Sequence, residues 1–148
     1  MSRALELAAL AADNGDIPVG CVIVRDGIII GEGYNCRERD GSALGHAEIV
    51  AIERACHAVG SWRLGGCEMY VTLEPCPMCA GAVINARLDA VHFALEDPKA
   101  GACGSVIDLF YERFNHRPRV TKGLMARESS ALIKYFFDRL RGMNGENL

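Results

Sequence analysis

Residues 68–95 read EMYVTLEPCPMCAGAVINARLDAVHFAL, and their reading decides the fold. EMYVTL (68–73) has the apolar, β-branched content of a buried strand. Pro77 suits the first position of a helix over 77–87, where a missing N–H costs nothing. AVHFAL (90–95) is a second strand. Toward the N-terminus, VGCVIVR (19–25) and IIIGEGY (28–34) read as strands, and Asp26-Gly27 between them signals a two-residue hairpin. SRALELAALAAD (2–13) is rich in helix formers and stops at Asn14-Gly15. Residues 35–44 are a polar loop, and 46–59 form a helix apolar over much of its circumference, hence buried. Toward the C-terminus, 96–117 are irregular with a short helix near 105–110, 118–122 are an edge strand, and 126–141 are an amphipathic helix. This order predicts an α/β protein: a three-layer α/β/α sandwich around a mixed central sheet of about five strands. With no linker visible, residues 1–148 are expected to form one domain.

Composition excludes several classes. Hydrophobic residues make up 50% and charged residues 24%, which is globular composition. No apolar run reaches the roughly 18 residues of a membrane span, and no signal peptide pattern opens the chain. A cytoplasmic, reducing location is therefore expected. There the seven cysteines are core residues or metal ligands, not a disulfide framework. The net charge of −3 divides unevenly: residues 1–110 carry −7 and residues 111–148 carry +4. A basic C-terminal quarter on an acidic body points to a polyanionic partner, though an ordinary solvated helix face looks the same.

Two segments carry chemistry: His46-Ala47-Glu48 and Pro75-Cys76-Pro77-Met78-Cys79. Cys76 and Cys79 are three residues apart at a helix start, which puts both sulfurs on one face. The helix N-terminus favours thiolates, and thiolates favour metal. His46 opens another helix and can supply an imidazole to the same point. Three protein ligands with one position left open is the arrangement of a catalytic zinc, whose bound water becomes hydroxide near neutral pH. Glu48 lies two residues after the histidine. In a regular helix the two would point apart, but the first residue of a helix need not follow helical directions. A carboxylate there is a candidate proton carrier. Taken alone, a histidine at a helix start is usually a cap or core residue, and a lone CxxC can be a redox pair. The conjunction H-x-E…P-C-x-x-C is the pattern of zinc nucleobase deaminases.

Residues outside that pattern narrow the resemblance. GSWRLGGCEMYVTLEPCPMCAGAVINARL (60–88), PVGCVIV (18–24), GEGYN (31–35), DPKAGACGS (97–105), RFNH (113–116) and YFFDRLR (135–141) make the chain resemble the bacterial wobble-position tRNA adenosine deaminases, within the cytidine and deoxycytidylate deaminase superfamily. The resemblance implies the cytidine deaminase-like fold. It also implies one zinc ion per subunit on His46, Cys76 and Cys79. The reaction it implies is conversion of adenosine to inosine at position 34 of a tRNA anticodon. Zinc-bound hydroxide would attack C6, Glu48 would shuttle protons, and ammonia would leave. It further implies substrate contacts from Asn35, Ala47, Pro75, Asp97 and Asn115, a tRNA anticodon stem-loop as partner, a homodimer and no membrane. Of Phe136 and Phe137, one reads as core and the other as a stacking surface for a base. Val19, Gly20 and Cys21 read as pocket floor or sheet core. The enzyme alternative is a zinc deaminase of a free base or nucleoside, such as guanine, cytosine or cytidine. The alternative from another class is a non-catalytic zinc or thiol-redox module.

Overall fold

In the computed structural model, residues 1–145 are described. Their elements in chain order are α1 (Ser2–Asp13), β1 (Gly20–Arg25), β2 (Ile28–Tyr34), α2 (Arg37–Asp40), α3 (Ala47–Val59), β3 (Cys67–Leu73), α4 (Pro77–Ala86), β4 (Ala90–Leu95), a 3-10 turn at Leu109–Tyr111, β5 (Arg119–Lys122) and α5 (Ala126–Gly145). One sheet of five strands runs in the order β2-β1-β3-β4-β5. β1 is antiparallel to both neighbours, whereas β3, β4 and β5 run parallel. The mixed five-stranded sheet is the one the sequence predicts.

The β1–β2 hairpin turns through Asp26 (φ 51°) and Gly27 (φ 75°). Two successive positive φ angles make the turn whose twist matches that of paired strands. Helices cover both faces. Cys21, Ile23, Met69, Val71, Val91 and Phe93 pack in one core with Ala51 and Ala55 of α3 and Val83 and Ile84 of α4. On the other face lie α1 and α5, which touch each other and the strands. Ser129 of α5 donates to the Thr72 carbonyl (2.6 Å), and Gly20 N–H donates to the Thr72 hydroxyl (3.1 Å).

Gly31 and Gly33 of β2 set where α3 lies. A Cβ on either would overlap the α3 backbone, at Ala51 O or Ala47 O. The missing side chains let the helix press on the strand and carry its N-terminus to the end of the sheet.

The structure departs from expectation in four places. The loop predicted at 35–44 contains α2, one turn whose Glu38 and Arg39 N–H groups donate to the buried Asp16 carboxylate (2.8 and 3.1 Å). The cap comes from a residue distant in sequence, so no local signal announces it. The helix expected near 105–110 is only the 3-10 turn. α3 buries Ala47, Glu48, Ala51, Ile52 and Ala55 but exposes Glu53, Arg54, His57 and Ala58, so it is not buried all round. α5 continues to Gly145, past the predicted end at 141.

A candidate metal centre at two helix N-termini

Two helices begin at the same end of the sheet, where Leu73 of β3 pairs with Leu95 of β4. His46 is the N-cap of α3, with extended backbone (φ −80°, ψ 145°). Cys76 is the N-cap of α4, also extended (φ −73°, ψ 174°), and Pro77 follows at the first helical position. An N-cap residue stands outside the helical progression. His46 therefore turns toward Cys76 while Glu48, inside the first turn, still lines the same cleft. The local exception anticipated for the His-x-Glu pair is what the backbone adopts.

His46 Nδ1 lies 3.6 Å from Cys76 Sγ and 3.5 Å from Cys79 Sγ. All three donor atoms lie within 4.8 Å of one another. A tetrahedral zinc with ordinary Zn–N and Zn–S bonds holds such a nitrogen and sulfur about 3.6 Å apart. The donor set and its spacing therefore fit a zinc ion.

In the metal-free chain the donors differ in charge, and the thiolate character of Cys76 is what suits a cation. A hydrogen bond from the Cys79 thiol, with help from His46, pulls the Cys76 thiol down to about 4 against the opposing effect of burial. Cys79 is pushed up by sharing that bond with Cys76, then by burial. The bond to Cys76 raises His46. Glu48 is 4% exposed, and burial drives its carboxyl up to about 7.

The cleft above these groups has a volume of about 170 Å³. Asn35, Ala47 and Asp97 line it together with His46, Glu48 and Cys76, so it brings together three of the five expected substrate contacts. Asn35 is also tied to backbone: its Nδ2 donates to Ile17 O (3.1 Å), and its Oδ1 accepts from Arg37 N (3.3 Å). The Asp97 carboxylate accepts from Lys99 N (2.9 Å) and Ala100 N (3.3 Å), which closes the DPK turn. Pro75 does not line the cleft; it is buried, and its carbonyl accepts from Ala102 N (2.8 Å). Asn115 is exposed and lies elsewhere. Its neighbour His116 bonds Leu88 O (2.6 Å), below the start of β4, whereas the cleft opens at the strand's other end.

Val19 lines the cleft and Cys21 lies in the core, so the floor and core readings each hold for one of them. Phe136 is buried and Phe137 is 40% exposed. Phe137 borders a second groove, of about 460 Å³, that shares Ile17, Asn35 and Arg37 with the cleft.

Sequence reasoning missed two buried carboxylates, Asp16 and Glu74. Each binds backbone N–H groups of a loop that lines the cleft. Neither lies in a recognisable motif for that role; only the position of Glu74 beside the Pro-Cys pair could have drawn notice. No helix among the described residues is long and apolar enough to cross a membrane.

Comparison with known proteins agrees with the geometry. The sequence profile of the MafB19-like deaminase family matches residues 1–141. A tRNA-specific adenosine deaminase of Bacillus subtilis is 44% identical over 142 residues, covering 95% of this chain and 88% of that protein. A structure from a study of A-to-I editing by tRNA:A34 deaminases at the wobble position superposes with a TM-score of 0.87 at 39% identity, over 89% of this chain and 96% of that one. A guanine deaminase of Bacillus subtilis superposes less closely, with a TM-score of 0.64 at 35% identity over 95% of this chain and 90% of that one.

Proposed function

Because the chain belongs to the MafB19-like deaminases and, among them, to the tRNA-specific adenosine deaminase family, we propose that it converts adenosine to inosine at position 34, the wobble position, of a tRNA anticodon. The observation that carries this reading is the His46–Cys76–Cys79 triad, with His46, Cys76 and Glu48 lining one cleft.

His46, Cys76 and Cys79 would hold one zinc ion per subunit, and that ion would supply the activation of a water for attack at neutral pH. Hydrolysis at C6 of adenine replaces the amino group with oxygen and releases ammonia. Glu48 takes one proton from the attacking water and passes it to N1, then takes the proton left on the C6 hydroxyl and delivers it to the amino group, which leaves as ammonia while C6 becomes a carbonyl. Buried at the cleft beside the metal donors, the Glu48 carboxyl is placed to take and give a proton there. Asn35 and Asp97 line the cleft from two different loops, where they orient the nucleoside, and Ala47 offers its backbone. Pro75 holds the wall behind Cys76 through its carbonyl bond to Ala102. The cleft, about 170 Å³, is small against the roughly 300–1,000 Å³ of ordinary ligand sites, so the base enters alone, unstacked from its loop.

The basic residues 111–148 and the exposed Phe137 suit an anticodon stem-loop that approaches from α5. A cytoplasmic location follows from that substrate. Val106, Ile107, Tyr111 and Phe114 are large, apolar and exposed, which supports a homodimer; in a second copy Asn115 would then serve the neighbouring cleft.

The test is inosine formation by the zinc-loaded protein on a stem-loop carrying A34, beside free adenosine, guanine and cytidine. Inosine in the RNA alone is expected. Turnover of guanine alone would instead favour the free-base reading that the guanine deaminase likeness suggests.

A further inference from the structure

We propose that Glu74 is a positioning residue: its buried carboxylate joins the metal-side turn to the substrate-side loop and so holds Asp97 at the rim of the cleft. The part of this that concerns RNA rests on the deaminase reading; the part that concerns the loop does not.

Glu74 directly follows β3 and is 2% exposed. A buried carboxylate needs partners, and among the described residues no lysine or arginine side chain bonds it. Oε1 accepts from Cys103 N (3.0 Å) and Ser105 N (3.1 Å). Oε2 accepts from Asp97 N (2.9 Å) and from the Ser105 hydroxyl. These donors fill the acceptor capacity of the group. They come from 97–105, a segment with no helix and no named strand. The carboxylate does there what a strand ladder does elsewhere.

Two backbone bonds extend the join. Glu74 N donates to Leu95 O, and Ala102 N donates to Pro75 O, each at 2.8 Å. Cys76 comes next in the chain. Asp97 and Ala100, at the loop's other edge, line the cleft. Gly101 completes the fit: a Cβ there would overlap the Glu74 carboxylate and Asp97 O.

Exchange for glutamine exposes the role. One oxygen becomes NH₂, which must face either the Cys103 and Ser105 N–H groups or the Asp97 N–H and the Ser105 hydroxyl. The hydroxyl can turn to accept, and the amides cannot. The second placement leaves one clash instead of two, and the group it strands is the N–H of Asp97. A buried donor without its acceptor weakens its segment appreciably.

The experiment uses the zinc-loaded full chain as wild type, Glu74→Gln, Gly101→Ala and Ser105→Ala. Amide hydrogen exchange is followed over 97–105 and over 47–59 as a control, with zinc stoichiometry and with kcat and KM on the A34 stem-loop. In Glu74→Gln and Gly101→Ala, exchange over 97–105 should rise about tenfold with 47–59 unchanged, zinc should stay at wild-type level, and KM should rise about tenfold with kcat within about threefold. Ser105→Ala keeps all three amide donors, so each change should stay within about threefold. Unchanged exchange over 97–105 in Glu74→Gln overturns the proposal, as does loss of zinc or loss of kcat at constant KM. Wild-type protein that forms no inosine would defeat the deaminase reading instead, and the exchange measurement would still decide the role of Glu74.

Discussion

The floor and the rim of the cleft are built differently. The floor comes from short local segments: His46 and Cys76 cap two helices, Cys79 lies one turn into the second, and Glu48 lies just inside the first. The rim comes from two loops, around Asn35 and around Asp97, and each is held by a buried carboxylate from elsewhere in the chain. Asp16 holds the first loop at the N–H groups of Glu38 and Arg39, and Glu74 holds the second. Helix caps repeat the same geometry wherever they occur, so the floor suits chemistry that must not vary. Loops tied at a few points can change shape at modest cost, so the rim suits selection of the substrate. Loss of a floor residue should therefore abolish turnover, while loss of a rim residue should weaken binding or stability.

The largest contrast is expected from Cys79→Ala, which removes one of the three proposed metal donors. Zinc should fall well below one per chain by elemental analysis, and deamination should vanish with it. Glu48→Gln keeps all three donors. It should retain zinc and lose about 10²–10⁴-fold in kcat, the ordinary contribution of a general acid–base group. Simultaneous loss of zinc in that variant would assign Glu48 to metal binding and blur the distinction between the two roles.

A smaller effect is expected at the rim from Asp16→Ala, which strands the N–H groups of Glu38 and Arg39. Stability should fall by about 1–3 kcal/mol in denaturant titration, with zinc content unchanged. The smallest effect concerns pH. Burial raises the Glu48 carboxyl from 4.5 to about 7 in the metal-free chain. The folded state thus holds its proton where the unfolded state has released it. Stability should fall as pH rises between 4.5 and 7, and the full cost should persist above that window. Metal-free Glu48→Gln lacks this cost. Its Tm relative to wild type should rise from pH 4.5 to pH 8 in differential scanning fluorimetry, and an unchanged difference would mean Glu48 is better solvated than its burial implies.

Most of the fold was legible because its signals are local. Asp26-Gly27 announced a hairpin, and both residues take the left-handed backbone it needs. Pro77 announced the start of α4. The floor was legible for the same reason, since His46, Glu48, Cys76 and Cys79 stand at spacings that helix starts convert directly into geometry. The rim was legible only in part. Asn35 and Asp97 were found through resemblance, and the structure puts both on the cleft. Pro75 and Asn115, found the same way, do not line it. α2 went unseen because Asp16, which caps it, lies outside the segment it stabilises.

By itself, the sequence determined the helices, the strands and the hairpin, and it marked His46, Cys76 and Cys79 as candidate metal donors; the elements follow from neighbours a few residues apart. Only the tertiary structure decided that the α3 and α4 N-termini meet, through glycines 31 and 33 that let α3 lie against β2. Only it decided which buried carboxylates hold the rim. Burial and long-range hydrogen bonding depend on which segments come together, and no short window of sequence contains that information.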